Sequence, residues 1–158
     1  MYKHILLPVD GSTLAEDAAL AGLALARAVG ARVTAFHVVP NPGTVGLDAW
    51  AHARNDFAEK LTETLESRGA LYLEEVRDTA RRLGVPCDCQ MSYGLSPHAG
   101  ILKEARERGC DLIVMASHGR GEETDDILGS ETVKVMSLGE TPVLVHHARR
   151  DRHGSARA

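Results

Sequence analysis

Aromatic residues make up only 4% of this 158-residue chain, with one Trp, three Tyr and two Phe. Stacking platforms for bases need more rings than that. The abundance of Ala, Leu and Val points instead to helices packed closely on a sheet. Net positive charge is also missing, since 18 Lys and Arg stand against 22 Asp and Glu, giving −4. Without a general basic field, nucleic acid and anionic membrane surfaces are poor partners. No apolar run approaches the ~20 residues of a membrane span. The apolar core of "MYKHILLPVDGS" (1–12) is too short for a signal peptide. Three cysteines, Cys87, Cys89 and Cys110, are an odd count in a chain with no secretory signal. The expectation is reduced thiols in a cytoplasmic protein, not a disulfide scaffold.

What is present is a regular alternation of apolar runs and amphipathic segments. "KHILLPV" (3–9) reads as a buried strand that stops at "DGS". A helix runs from Ser12 or Thr13 to Val29, where Thr13 and Glu16 have capping-box spacing and Gly30 supplies the C-cap. "RVTAFHVV" (32–39) alternates and is β-branched, so it is a second strand, and "PNPGTVG" (40–46) breaks regular structure. A long helix over 48–83 follows, with Leu61, Leu65, Leu73, Val76, Ala80 and Leu83 at helical spacing and Gly69 as a weak point.

The third strand is 85–93, and Ser96-Pro97 opens a helix to Arg108 that Gly109 closes. "DLIVMAS" (111–117) is apolar on both faces, as a central parallel strand requires. Ser130 caps a short helix to Leu138, and "TPVLVHH" (141–147) is strand five. The polar tail 148–158 is expected to be disordered. These elements predict one domain over 1–147: an open five-stranded parallel sheet, doubly wound, with helices on both faces.

In such sheets ligands bind beyond the carboxyl ends of the strands, where the winding reverses. Two loops meet there, "PVDGS" (8–12) and "SHGRGEETDDILGS" (117–130), and each leads into a helix N-terminus suited to an anion. Familiar phosphate motifs are excluded. No Gly-Lys-Ser/Thr exists, "GRGEET" has Thr124 where a dinucleotide fingerprint needs its third glycine, and "SHGRG" lacks a nucleophile-elbow serine.

A different pattern fits. "VMASHGRGEETDDILGS", with "ILLPVDGS" at the start and "TPVLVHH" at the end, resembles the universal stress protein family. The likeness runs from about Tyr2 to His147, in the family's order. Its nucleotide signature is Gly, two residues, Gly, nine residues, Gly, then Ser or Thr. Gly119, Gly129 and Ser130 match it, while Ala116 stands at the first glycine. The resemblance implies the strand order 3-2-1-4-5 and a site for ATP or AMP, with Mg2+ as an accessory. Pro8, Val9 and Asp10 would line the adenine pocket, and Val38 would pack on the base. Met115 and Ala116 would lie along the ribose, and Gly119, Gly129 and Ser130 would hold phosphates. Arg120 and Glu131, beside the glycine turns, complete the candidate set.

Several alternatives stay open at this point. The Ala116 methyl either crowds the ribose or is absorbed by a small shift. From Ser117 to Glu131 there are one arginine and five acids, a net −4. Those acids either project into solvent or hold a divalent cation against a phosphate. Asp10 either contacts adenine or caps the adjacent turn. Cys87 and Cys89 share one side of a strand and read as structural thiols. His146 and His147 point to opposite faces and make a poor chelate, with His4 expected nearby.

Catalysis lacks a nucleophile–base pair or a Lys/Arg cluster. The leading expectation is a nucleotide-dependent switch or interaction module in stress response. A nucleotide-free homodimeric module is the alternative, and a slow ATP hydrolase ranks below it. Strand five (Thr141 to His147) is expected to pair with a second copy.

Overall fold

The computed structural model describes residues 1–40, 51–118 and 128–147, with side chains in the second segment from Phe57 onward. The tail 148–158 lies outside the described residues. The elements alternate in chain order. β1 is His4–Pro8, α1 Thr13–Val29 and β2 Arg32–Val39. α2 is Ala51–Leu83, β3 Cys87–Tyr93 and α3 Pro97–Arg108. β4 is Leu112–Ala116, α4 Ser130–Leu138 and β5 Val143–His146. Every strand pair is parallel, and the order across the sheet is β3-β2-β1-β4-β5. The predicted doubly wound fold is the one observed.

Strand alternation divides the core into two layers. Ile5, Leu7, Val33, Ala35, Leu112 and Val114 face α1 and α2, while Leu6, Phe36, Ile113 and Met115 face α3 and α4. β1 and β4 are therefore covered on both sides, which is why they read as unbroken apolar runs. β5, at the edge, is only half-buried. α1 approaches the sheet closely because its inner stripe is small: Ala15, Ala18, Ala19, Gly22, Leu23 and Ala26 are buried at helical spacing.

α2 departs from its expected stripe. Leu73, Val76 and Ala80 are buried, but Leu61 is exposed. At ~1.5 Å per helical residue and ~3.3 Å per strand residue, 33 residues of helix span about 50 Å against about 26 Å for the eight of β2. The helix outruns the sheet, so its second half has a core to face where Leu61 does not. Gly69 marks a close approach, not a weak point. A Cβ there would stand 2.4 Å from the His37 ring, which packs beneath the helix.

Three local expectations need correction. Ser12, not Thr13, is the N-cap of α1, and its Oγ accepts from Ala15 N–H, so the Thr13/Glu16 capping box does not form. Ser130 is the first helical residue of α4, with Gly129 at the cap position. His4 and His146 lie at opposite ends of the sheet: one opens β1, the other closes β5, and β4 runs between them. His4 is structural. Its Nδ1–H donates to Arg108 O at 3.2 Å, leaving Nε2 to accept from Thr34 Oγ1 at 2.8 Å. Burial, helped by the charge of Arg32, pushes its pKa down and keeps it neutral. All three cysteines are free, and burial pushes the Cys110 thiol up to about 11.

Candidate functional site

The carboxyl ends of β1, β2 and β4 open on a cavity of about 270 Å3. That is near the lower edge of the roughly 300–1,000 Å3 usual for small-molecule sites. It sits where connections leave β1 and β4 toward opposite faces, the position the fold reserves for ligands. Its walls are mostly apolar, with Val9, Phe36, Val38, Ile101 and Met115 among them. Polar residues lie on both sides: Asp10 and His37 beside β1 and β2, and His118, Glu131 and Thr132 where β4 ends and α4 begins.

The β1 side is braced from within. Asp10 Oδ1 accepts Ser12 N–H at 2.9 Å and Ser12 Oγ–H at 2.6 Å, while Asp10 also lines the cavity. The turn-capping reading of this acid holds, and the residue also borders the cavity. Gly11 carries φ +78°, and a Cβ there would meet the Tyr72 ring at 2.2 Å. Tyr72 in turn stands edge-on to His37 at 5.5 Å. His37 Nδ1–H donates to Val9 O at 2.7 Å, tying β2 and α2 to the loop after β1. A carbonyl only accepts, so the proton is on Nδ1.

On the β4 side, Thr132 Oγ1–H donates to Ala116 O at 3.0 Å and Gly129 N–H to Ser117 O at 2.7 Å. These two bonds fix the start of α4 against the end of β4. The Ala116 methyl packs with Ala15 and Ala18 of α1 in a buried alanine cluster, and the residue also borders the cavity. Glu131 is held by three donors. His98 N–H and the His98 ring Nδ1–H reach Oε2 at 2.7 and 2.8 Å, and Lys134 Nζ reaches Oε1 at 3.0 Å. Burial pushes its pKa up, but these bonds outweigh it and hold the carboxyl below its ordinary value.

Of the candidate residues, Pro8, Val9, Asp10, Val38, Met115, Ala116 and Glu131 line the cavity. Gly129 is buried and Ser130 is exposed, and neither lines the cavity. Gly119 and Arg120 lie outside the described residues. Sequence reasoning did not single out Phe36, His37, Pro97, Ile101 and Thr132. Gly69 was the available signal for His37, because a glycine inside a helix costs about 1 kcal/mol unless something needs the space. Among the described residues, no group of three or more His, Cys, Asp or Glu is placed to hold a metal ion. No helix among them is long and apolar enough to cross a membrane.

Fold and cavity together define a doubly wound α/β domain with a cavity at its switch point. The family model described as "Universal stress protein family" matches residues 1–147, and the chain belongs to that family. It is 36% identical over 147 residues to a universal stress protein of Thermus aquaticus, covering 92% of this chain and 98% of that one. It is 32% identical over 145 residues to universal stress protein MJ0531 of Methanocaldococcus jannaschii, covering 92% and 82%. Among solved structures, the MJ0577 protein of that archaeon superposes with a TM-score of 0.76 at 28% identity, covering 96% and 99%. Two more distant structures share the fold. One is a universal stress protein in complex with cAMP (20% identity, TM-score 0.67, 94% and 98% covered). The other is an Arabidopsis thaliana family member with AMP bound (19%, 0.66, 98% and 97%).

Proposed function

We propose that this chain is a cytoplasmic stress-response protein that binds an adenine nucleotide, AMP or ATP, in the switch-point cavity and changes state or partner with occupancy. The observation that carries this reading is the cavity itself, apolar along Val9, Val38 and Met115 and polar where α4 begins. An adenosine needs that division, with a flat apolar base at one end and a phosphate near a helix N-terminus at the other. Pro8, Val9, Asp10 and Val38 receive the base, and Met115 and Ala116 border the ribose. Gly129 and Ser130, with Gly119 and Arg120 of the preceding loop, serve the phosphate, and Mg2+ accompanies ATP if ATP is taken. The AMP and cAMP complexes of distant relatives are consistent with this ligand class.

The experiment is calorimetric titration of the full chain, together with detection of nucleotide in protein purified without any added. Saturable binding of AMP or ATP supports the reading. No heat and no protection of the fold at millimolar nucleotide overturns it in favour of a nucleotide-free module.

A second copy docking through β5 belongs to the same proposal. Leu144 on β5 and Val133, Met136 and Leu138 on α4 are exposed apolar residues at one end of the sheet order. Leu144→Asp should convert a dimer to a monomer in sedimentation velocity. An unchanged sedimentation coefficient removes the strand-five interface.

A further inference from the structure

α3 begins without a cap of its own. Ser96 makes no side-chain cap bond, and Pro97 carries no N–H. Ala99 N–H and Gly100 N–H both turn back to Ser96 O, at 3.1 and 3.3 Å. That leaves His98 N–H, which Glu131 takes from the neighbouring helix at 2.7 Å. A carboxylate of the protein therefore stands at the α3 N-terminus, where an anionic ligand would otherwise be stabilised. Glu131 is also part of the cavity wall, and it sits in the first turn of α4, the phosphate end of the site proposed above.

The formal charge on the described cavity wall is one-sided. Among the described residues, those lining the cavity include two acids, Asp10 and Glu131, and no Lys or Arg. Lys134, the nearest lysine partner, is already bonded to Glu131 Oε1. Moving Glu131 aside would leave His98 N–H and Nδ1–H without their acceptor and uncap α3, so yielding to a ligand is costly. Protonation offers no easy escape at neutral pH, since its bonds hold the carboxyl below the ordinary carboxylate range.

We propose that Glu131, docked on His98, is a specificity-determining residue that admits an adenosine carrying one phosphate and disfavours a di- or triphosphate. This rests on the nucleotide reading of the cavity. One phosphate fits against the start of α4 before the carboxylate is met. A longer phosphate chain brings further negative charge against Glu131; Arg120 is matched by the first phosphate, and among the described residues no Lys or Arg lines the cavity.

Calorimetry of the full chain with AMP, ADP and ATP, each with and without MgCl2, tests the proposal. The expected result is AMP binding at least about tenfold more tightly than ATP, the scale of one partly screened like-charge contact. Glu131→Gln keeps an acceptor for His98 N–H while removing the charge. It should tighten ATP about tenfold and leave AMP within about threefold. In the unaltered protein, raising salt from about 50 to about 500 mM should narrow the AMP-to-ATP ratio, a readout that needs no variant.

An AMP-to-ATP ratio that is unchanged in Glu131→Gln overturns the proposal and leaves the nucleotide reading standing. ATP binding more tightly than AMP in MgCl2, and weakened by Glu131→Gln, also overturns it, because the carboxylate would then be holding a cation. Absence of binding by any of the three nucleotides, in both proteins, overturns the proposal and the reading together.

Discussion

α1 and α3 both begin beside the cavity and both follow a serine, yet they are capped by different means. Ser12 Oγ accepts Ala15 N–H and donates to Asp10, so the α1 cap is complete within a few residues of chain. Ser96 makes no such bond, and the α3 cap is Glu131, 33 positions beyond His98. The first is local: its parts are adjacent whether or not the sheet has formed. The second is tertiary and exists only once α3 and α4 lie side by side. A local cap stiffens the loop that receives a ligand. A tertiary cap places a charge where a ligand must contend with it, and so joins packing to selectivity.

The comparison is broken most severely at Gly11. Its positive φ and the nearby Tyr72 ring exclude a side chain. Gly11→Ala should cost about 2–3 kcal/mol through left-handed strain and overpacking, and lower Tm by several degrees. Chemical denaturation with an unchanged m-value is the measurement, and a loss below about 0.5 kcal/mol would mean that the loop gives way freely.

A sharper cut replaces each serine in turn. Ser12→Ala should cost about 1 kcal/mol, the usual loss of an N-cap oxygen. Ser96→Ala should stay within about 0.5 kcal/mol, because no cap bond is there to lose. Equal costs at the two positions would show that Ser96 caps α3 in solution. The pair has one further control in Gly69→Ala. It sets the gain of about 1 kcal/mol in helix propensity against a Cβ only 2.4 Å from the His37 ring. A net loss in thermal stability is expected, and a net gain would mean that His37 moves without cost.

The same contrast explains what could be read from the sequence. Alternation of apolar runs located all five strands, and the double-sided runs "HILLP" and "LIVMA" marked the covered centre of the sheet. The two loops of the candidate site followed from where those strands end. What escaped detection depends on partners far apart in the chain. Nothing near Glu131 announces His98, and Thr13/Glu16 has the spacing of a capping box although Ser12 is better placed to cap. The sequence alone did not show what surrounds the Ala116 methyl. Its neighbours are Ala15 and Ala18, a hundred residues earlier. Gly69 is the exception, since a helix-interior glycine is itself a request for space, and the His37 ring fills it.

The smallest effect expected is the one that separates the two caps by acid. Glu131 has its pKa lowered in the folded protein, despite burial, by His98 N–H, Lys134 and the His98 ring. The folded state therefore takes up a proton on this group less readily than the unfolded chain, whose value is the ordinary 4.5. Stability from the α3 cap is fully present above that value and is lost as pH falls through the lowered one. Ser12 Oγ does not titrate, so the α1 cap has no such window of its own. Asp111, held by the backbone N–H groups of Lys3 and His4, also has its pKa lowered and would contribute an acid loss of its own. The decisive quantity is thus a difference between proteins. The Tm gap between the unaltered chain and Glu131→Gln should be constant from neutral pH to about 5 and should close below about 4.5. A gap that persists into acid would place the stabilisation in the shape of residue 131, with its charge contributing nothing to the α3 cap.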